Sequence, residues 1–421
     1  MKIKVKIKNE NLICFLFFLP QINYYISAVL SSYNFQTVTP PIYAALIVVG
    51  MCSVLYNLHY RQCFIWSFGM IVVLLVSLIV NWNVSQYMVT DSFFSSPIVM
   101  LCSIYFPIFL IFLTEVNIEE LLGTAGKYST VTIALSAIAF VNYVFIQRTS
   151  MPDYMTFAYM IVSPIMFCII SAIQGKRTKT LWAALGYLIV LVGGCRGALL
   201  TVSIFLLLCF IRFFATAGKR STLLIKCIVV IFAFAVALNI ENILNAISLL
   251  LEGFGYESRV FASLTGKSYG GETNTFFSGD GRNDIWKMAW DHIRIIGYGL
   301  FGDRTVVVNE YNNASYAHNW ILEMLVSFGW ILGTVAILYV LWCVINSIIV
   351  ANQKHDRINV LLSYSVFCTI MVKHSISASF ASSIDFWFYL GLGYCIVKTS
   401  EEQNLTEVFE FDEDNKIKGF N

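Results

Sequence analysis

Long apolar runs separated by short polar connections recur along almost the whole 421-residue chain. A helix needs about 20 mainly apolar residues to cross the hydrocarbon core of a bilayer, which is roughly 30 Å thick. The runs 180–195 and 197–214 meet at residues 193–197 and are either two short spans or one broken region, so the number of spans is twelve or eleven. The pattern predicts membrane-spanning helices over 11–30, 40–57, 62–81, 96–114, 129–147, 154–173, 180–195, 197–214, 222–240, 328–350, 359–379 and 383–397.

Composition supports a membrane protein and argues against other classes. The chain is 58% hydrophobic and 12% charged, with a mean hydropathy of +0.73, values that are foreign to a soluble domain. A net charge of +2 is too small to indicate nucleic-acid binding. The eleven cysteines lie in apolar runs without metal-ligand spacing. We therefore predict an all-α polytopic membrane protein with no metal and no cofactor.

Basic residues divide unequally between the two sides of the predicted bundle. With the N-terminus in the cytoplasm, nearly all lysines and arginines of the short connections lie inside, and the short outer loops hold only Arg148 and Arg196. This asymmetry satisfies the positive-inside rule and predicts that both termini are cytoplasmic. The chain then comprises nine helices over 1–240, an extracytoplasmic loop with short helices over 241–317, three helices over 318–397 and a cytoplasmic tail over 398–421.

The loop between the ninth and tenth predicted helices is the only long polar stretch between predicted spans. It is therefore the main place to look for catalytic or binding residues. Residues 243–251 predict a short helix at the membrane interface. A second helix is predicted to begin near Gly281 or Arg282 and to stop at the glycine-containing turn 297–299. Helical spacing gives it an apolar stripe of Trp286, Ala289, Trp290 and Ile293.

Two residues of this loop are candidates for chemistry, and each also has a structural interpretation. Arg282 can pair with Asp280 or Asp284 at the start of its helix, and His318 can cap the helix that follows it. Alternatively, both residues face an anionic substrate carried by a lipid.

The next helix is expected to place Asn319 and Glu323, four residues apart, on one face.

Charged residues at the ends of predicted spans pose a similar choice. Arg196 lies at the outer mouth of two helices, where it either extends to the interface or binds a ligand. Lys373 and His374 lie near the outer end of the eleventh helix, and Asp385 opens the twelfth. Asp385 is therefore a candidate counter-charge for both.

The order of these segments resembles the bacterial O-antigen ligase and polymerase superfamily. The resemblance covers roughly 194–335 and departs from the usual pattern at Arg294-Ile295-Ile296, where the family commonly has Asn-Pro-like residues. The matching segments are Gly-Cys-Arg-Gly-Ala at 194–198, Gly-Arg-x-x-x-Trp at 281–286, Gly-x-Gly at 297–299, Ala-His-Asn at 317–319 and Phe-Gly at 328–329.

This resemblance implies a glycosyltransferase that works on the outer face of the bacterial inner membrane without metal or nucleotide sugar. It implies that Arg282, Arg196 and Arg259 bind the diphosphate of an undecaprenyl diphosphate-linked oligosaccharide, and that His318 acts as the base. The chemistry agrees, because guanidinium groups bind phosphate in bidentate fashion and an imidazole can accept a hydroxyl proton. Membrane lipid, a flippase and a chain-length regulator are the other implied partners.

Three functional alternatives stay open. We favour a polymerase of O-antigen or capsule, which joins a growing glycan to a lipid-linked repeat unit. The first alternative is a ligase that passes finished polysaccharide to lipid A core or to protein. The second is a transporter of the lipid-linked oligosaccharide, although such proteins usually show repeat symmetry. A non-catalytic membrane scaffold, which would tolerate loss of His318, is the third.

Overall fold

The structure is a computed structural model, and it describes residues 7–35, 37–57, 60–89, 96–147, 153–193, 195–216, 249, 253, 282–310 and 316–399. All regular elements within these ranges are helical, which confirms the predicted all-α class. In chain order they are α1 (Asn9–Ser31), α2 (Thr39–Asn57), α3 (Tyr60–Val80), α4 (Trp82–Met88), α5 (Pro97–Phe112), α6 (Ile118–Gln147), α7 (Tyr154–Ile173), α8 (Thr178–Gly193), α9 (Arg196–Thr216), α10 (Arg282–Asp291), α11 (Gly302–Glu310), α12 (Trp320–Gln353), α13 (Arg357–Phe367) and α14 (384–399).

Five of these helices (α1, α2, α6, α7 and α12) are long and apolar enough to cross a membrane, and the bent pair α3–α4 can supply a sixth. Exposed apolar side chains on α2, α3 and α12 fit contact with lipid, and Ile79 is 83% exposed. The chain is therefore a multi-pass membrane protein. Twelve spans, and the outer position of the loop, stay predictions.

Several predicted spans correspond to helices of the structure, and others lie outside its described residues. The predicted seventh and eighth spans are separate helices, because α8 ends at Gly193 and α9 begins at Arg196. The predicted span 359–379 corresponds to α13 followed by the helical turns Cys368–Lys373 and His374–Ile376, and the predicted span 383–397 corresponds to α14. The predicted span 222–240 and the predicted interfacial helix 243–251, apart from the helical Leu249, lie outside the described residues, as does the predicted tail 398–421 beyond Thr399.

An aromatic cluster joins the N-terminal and C-terminal helices. Phe17 of α1 packs on Phe388 of α14, with ring centroids 4.1 Å apart, and Phe167 of α7 stacks on Tyr389 of α14 at 6.3 Å. All four side chains are buried. Because lipid tails are as apolar as these side chains, close packing rather than exclusion from water holds such helices together.

Helix α12 is broken at Gly329, and the turn 297–299 fills the break. Gly329 has φ 78° and ψ 178°, a conformation that is essentially confined to glycine. The carbonyl oxygens freed at the break accept hydrogen bonds from the turn, at 2.9 Å for Tyr298 N to Val326 O and 2.8 Å for Gly299 N to Ser327 O. Backbone groups inside a membrane protein need such partners, so the two glycine motifs form one structural unit.

We expect Gly329→Ala to destabilise the protein strongly. A Cβ atom there would lie 2.6 Å from Gly297 N, and the conformation alone costs about 1–3 kcal/mol for other residues. Melting of the detergent-purified protein should occur at a clearly lower temperature than in the wild type. Gly123→Ala is the matched control, since a Cβ atom at Gly123 meets no heavy atom within 4 Å. Equal melting temperatures for both variants would contradict this account.

Candidate active site

A polar cavity of about 470 Å³ lies at the end of the bundle where α12 begins. Its wall includes His318 and residues from the start of α7, among them Asp153 and Tyr159. The segment 377–385, which connects α13 to α14, supplies several serines and Asp385. A cavity of this volume falls in the range of small-molecule sites, about 300–1,000 Å³.

His318 is held in this wall by its neighbours along the chain. Its backbone is in the left-handed region, with φ 53°, where side chains other than glycine are uncommon. The Tyr316 ring lies 4.1 Å from the imidazole ring, and the Tyr316 hydroxyl donates to the Ser377 carbonyl at 2.8 Å. Asn319, not His318, caps α12 by accepting from the N–H groups of Ile321 and Leu322. The capping interpretation of His318 is therefore wrong.

The electrostatic environment keeps His318 uncharged at neutral pH. Burial, together with the nearby positive charge of Arg282, lowers its pKa from 6.5 to about 4. Its Nδ1 atom is buried and has no hydrogen-bond partner among the described residues. An uncharged imidazole with an unpaired nitrogen in a polar cavity has the chemistry of a proton acceptor.

Arg282 opens α10, as predicted, and is half-buried. It does not line the cavity, but it lies close enough to lower the pKa of His318. Arg282 and His318, the two residues of this loop that are candidates for chemistry, are thus within electrostatic range of each other. Of the two predicted structural partners of Arg282, Asp284 is exposed, and Asp280 lies outside the described residues.

Helix α10 differs in detail from its prediction. It ends at Asp291, six residues before Gly297, and Ile285 and Ala289 are the residues that it buries. Trp290 is 54% exposed and meets Trp330 edge-on at 5.5 Å, so it is not part of the buried stripe. Between α10 and residues 297–299 the chain is irregular, with a turn at His292 and bends at Ile295 and Ile296, and it leads to the break in α12.

Of the other two predicted phosphate-binding residues, the structure describes Arg196 but not Arg259. Arg196 is half-buried at the first position of α9. Its neighbour Gly197 packs against the Tyr159 hydroxyl, which belongs to a cavity-lining residue, so the start of α9 borders the cavity. Arg259 lies outside the described residues, and its role stays a prediction.

Two functional candidates, Asp303 and Arg304, escaped the sequence analysis. The buried Asp303 carboxylate accepts from the Ala317 N–H at 3.0 Å, which ties α11 to the His318 segment. Burial raises the pKa of Asp303, and the adjacent Arg304 opposes that rise. The Arg304 guanidinium donates to the Ser382 hydroxyl in the cavity wall at 2.9 Å. Asp303 and Arg304 are neighbours in a polar connecting segment, where no hydrophobic periodicity distinguishes a functional residue from its surroundings.

The segment 375–380 joins α12 to the cavity through two predicted helix-face residues. Asn319 donates to the Ser375 carbonyl at 3.3 Å. The buried Glu323 carboxylate accepts from the Ser379 hydroxyl and from the Phe380 N–H. Both residues face the same segment, as predicted from their spacing.

Lys373 forms an ion pair with Asp385, which confirms the predicted counter-charge for the lysine. His374 has other partners: its Nε2 lies 2.9 Å from the Ser383 hydroxyl and its Nδ1 lies 2.8 Å from the Thr369 carbonyl. Among the described residues, His374 forms no ion pair with Asp385, so the predicted counter-charge is observed as a direct contact for Lys373 alone.

Within the described residues, no group of three or more His, Cys, Asp or Glu side chains is placed to hold a metal ion.

The fold and the site define the class of this protein as a multi-pass membrane protein with a polar cavity that contains a neutral histidine beside an arginine. Residues 180–338 match the family model described as O-antigen ligase, which places this segment in the O-antigen ligase and polymerase superfamily. Members of that family are glycosyltransferase-like enzymes that act on polyprenyl-linked sugars. No curated protein matches the chain.

Proposed function

We propose that this protein is a metal-independent polymerase of O-antigen or capsule on the outer face of the bacterial inner membrane. It transfers a growing glycan from undecaprenyl diphosphate to a lipid-linked repeat unit, supplied by a flippase and limited in length by a regulator. The observation that carries the proposal is the pairing of a neutral His318, whose Nδ1 is unpartnered among the described residues, with the charge of Arg282.

In the proposed reaction, a hydroxyl oxygen of the acceptor sugar attacks the anomeric carbon of the donor glycan. The bond from that carbon to the diphosphate oxygen breaks, and its electron pair leaves with the diphosphate. His318 takes the hydroxyl proton. The products are the lengthened glycan, undecaprenyl diphosphate and one proton, which His318 passes to water or to the released diphosphate, so that atoms and charges balance without a further reactant.

Arginines suit the donor side of this reaction. Negative charge grows on the leaving diphosphate, and guanidinium groups bind phosphate oxygens in bidentate fashion. Arg282 is the first candidate, Arg196 at the edge of the cavity is the second, and Arg259 is the third. The bound diphosphate also opposes the Arg282 charge felt by His318. The imidazole therefore becomes a stronger base when the donor is in place.

A ligase is the second candidate, because the matching family model is described as O-antigen ligase. Both activities break the same bond and differ in the acceptor.

Deletion of the gene, followed by electrophoresis of the surface polysaccharide, tests the proposal. A polymerase is expected to leave single repeat units where the wild type shows a ladder. Unattached long chains would favour the ligase, and an unchanged ladder would contradict both. Transfer by the purified protein should persist in chelator, and a loss restored by divalent ions would contradict the metal-independent mechanism.

The orientation of the chain is a separate expectation. If both termini are cytoplasmic, the loop that contains Ser268 lies outside. A cysteine placed at Ser268 in a background without other reactive cysteines should react with an impermeant maleimide on intact spheroplasts. A cysteine at Lys354, between α12 and α13, is the matched control and should react only after the membrane is permeabilised. The reverse pattern would overturn the topology.

A further inference from the structure

The wall of the cavity contains a buried ion pair that the proposed reaction does not use. Lys373 is 3% exposed and Asp385 is 4% exposed, and both line the cavity. Asp385 also accepts from the Ser163 hydroxyl at 2.7 Å, and Lys373 also donates to the Tyr159 carbonyl at 3.3 Å. The pair therefore connects α7, the π-helical turn Cys368–Lys373 that follows α13, and the start of α14.

Helix packing alone does not account for this pair. Removal of two charges from water is costly for each ion, and apolar residues of similar volume often hold helices together equally well. Ionisable side chains inside membrane proteins commonly mark the path of a substrate. The helix also widens into a π-turn over Cys368–Lys373, a distortion that is frequent at functional sites.

The chemistry of this wall differs from that near Arg282. Lys373 and Asp385 together carry no net charge, and the four serines of 377–383 add hydroxyl groups. Such a surface offers hydrogen-bond donors and acceptors, and the ion pair itself adds no net charge. It complements an uncharged ligand with several hydroxyl groups. A sugar hydroxyl can donate to the Asp385 carboxylate while its neighbour accepts from the Lys373 ammonium group.

We propose that the wall formed by Lys373, Asp385 and the serines of 377–383 binds the acceptor sugar and presents its hydroxyl group to His318. This inference rests on the proposed glycosyl transfer and assigns the acceptor side of the same cavity. In this arrangement, donor and acceptor would meet at the His318 imidazole.

The test compares binding of two probes to the detergent-purified, full-length protein. One probe is undecaprenyl diphosphate, and the other is the free oligosaccharide released by mild acid from the lipid-linked intermediates of the deletion strain. The main variant is the double substitution Lys373→Met with Asp385→Leu, which removes both charges and leaves no unpaired ion. The single variant Asp385→Asn keeps the shape of the wall. The matched control replaces a second ion pair, Lys8 with Glu120, which joins α6 to the residue preceding α1 and is largely exposed to solvent, by Lys8→Met with Glu120→Gln.

We expect the double variant to bind the oligosaccharide at least tenfold more weakly than the wild type, with an unchanged Kd for undecaprenyl diphosphate. Asp385→Asn should show a smaller loss in the same direction, and the control pair should show none. Wild-type oligosaccharide binding by a folded double variant would overturn the proposal. Equal weakening of both probes would assign the pair a purely structural role and would also overturn it. If the wild type binds undecaprenyl diphosphate but no oligosaccharide, the acceptor site is wrong and the donor chemistry stands. If the wild type binds neither probe, the proposed function itself fails.

Discussion

Replacement of His318 should abolish polymer formation while the protein still inserts into the membrane. A positioned general base commonly contributes about 10²–10⁴-fold to a rate, and a loss of that size removes a polysaccharide ladder from view. His318→Asn is the sharper variant, because asparagine tolerates the left-handed backbone of this position and cannot act as the base. Electrophoresis of the surface polysaccharide provides the measurement, and immunoblotting of membranes checks the amount of protein.

His355→Asn is the matched control for this prediction. His355 has the same φ of 53° but lies exposed between α12 and α13. A normal ladder from this control would show that the substitution itself is tolerated at such a backbone. Full-length polymer from the His318 variant would rule out its role as the base.

The pH dependence of the wild type gives a second measure of His318. Its pKa of about 4 in the free protein means that the basic form is complete above about pH 5 and is lost as the pH falls through 4. The acid limb of kcat/KM, which reports the free enzyme, is therefore expected near pH 4. The limb of kcat should lie at higher pH, because the bound diphosphate opposes Arg282. An acid limb of kcat/KM near 6.5 would contradict this environment for His318.

Arg282→Lys should cause a severe loss of transfer although the positive charge is kept. A lysine ammonium cannot bind two phosphate oxygens in the planar bidentate geometry of a guanidinium group. We therefore expect a fall of roughly 10²-fold in kcat/KM, near the loss seen when a hydrogen-bond donor to the transition state is removed. Transfer of radiolabelled glycan from undecaprenyl diphosphate by the purified protein provides the measurement. Full activity of the lysine variant would reduce Arg282 to a point charge or a structural residue.

Lys287→Ala is the control for Arg282, since Lys287 is exposed on the same short helix. It should leave kcat/KM within a factor of two. Arg282→Gln adds an independent readout, because loss of the guanidinium charge should move the acid limb of kcat/KM to higher pH. The movement should be partial, since burial is the larger cause of the low pKa of His318.

The motif glycines illustrate how far sequence reasoning reaches. Gly297 and Gly299 are predicted to form a turn, since glycine permits tight backbone conformations, and in the structure Gly299 has φ 87° and its carbonyl accepts from the Gly302 N–H at 2.7 Å. The partner of that turn could not be foreseen, because nothing in the local pattern at Gly329 indicates a break inside a 34-residue apolar helix. The break requires hydrogen-bond donors from a segment about 30 positions earlier in the chain, and such pairing exists only in three dimensions.

Hydrophobic periodicity and charge asymmetry by themselves determined the all-α membrane class. The order of the motifs pointed to the superfamily and to Arg282 and His318. The length of apolar runs, and the positions of the few polar residues between them, are properties of the chain alone. Only the tertiary structure decided what surrounds those residues. Burial and the Arg282 charge set the neutral state of His318, and Asp303 fixes the segment that carries it. Lys373 and Asp385 line the same cavity because α7, the π-helical turn Cys368–Lys373 and α14 converge there. Electrostatics and hydrogen bonding act over distances in space, and separation along the chain does not reveal them.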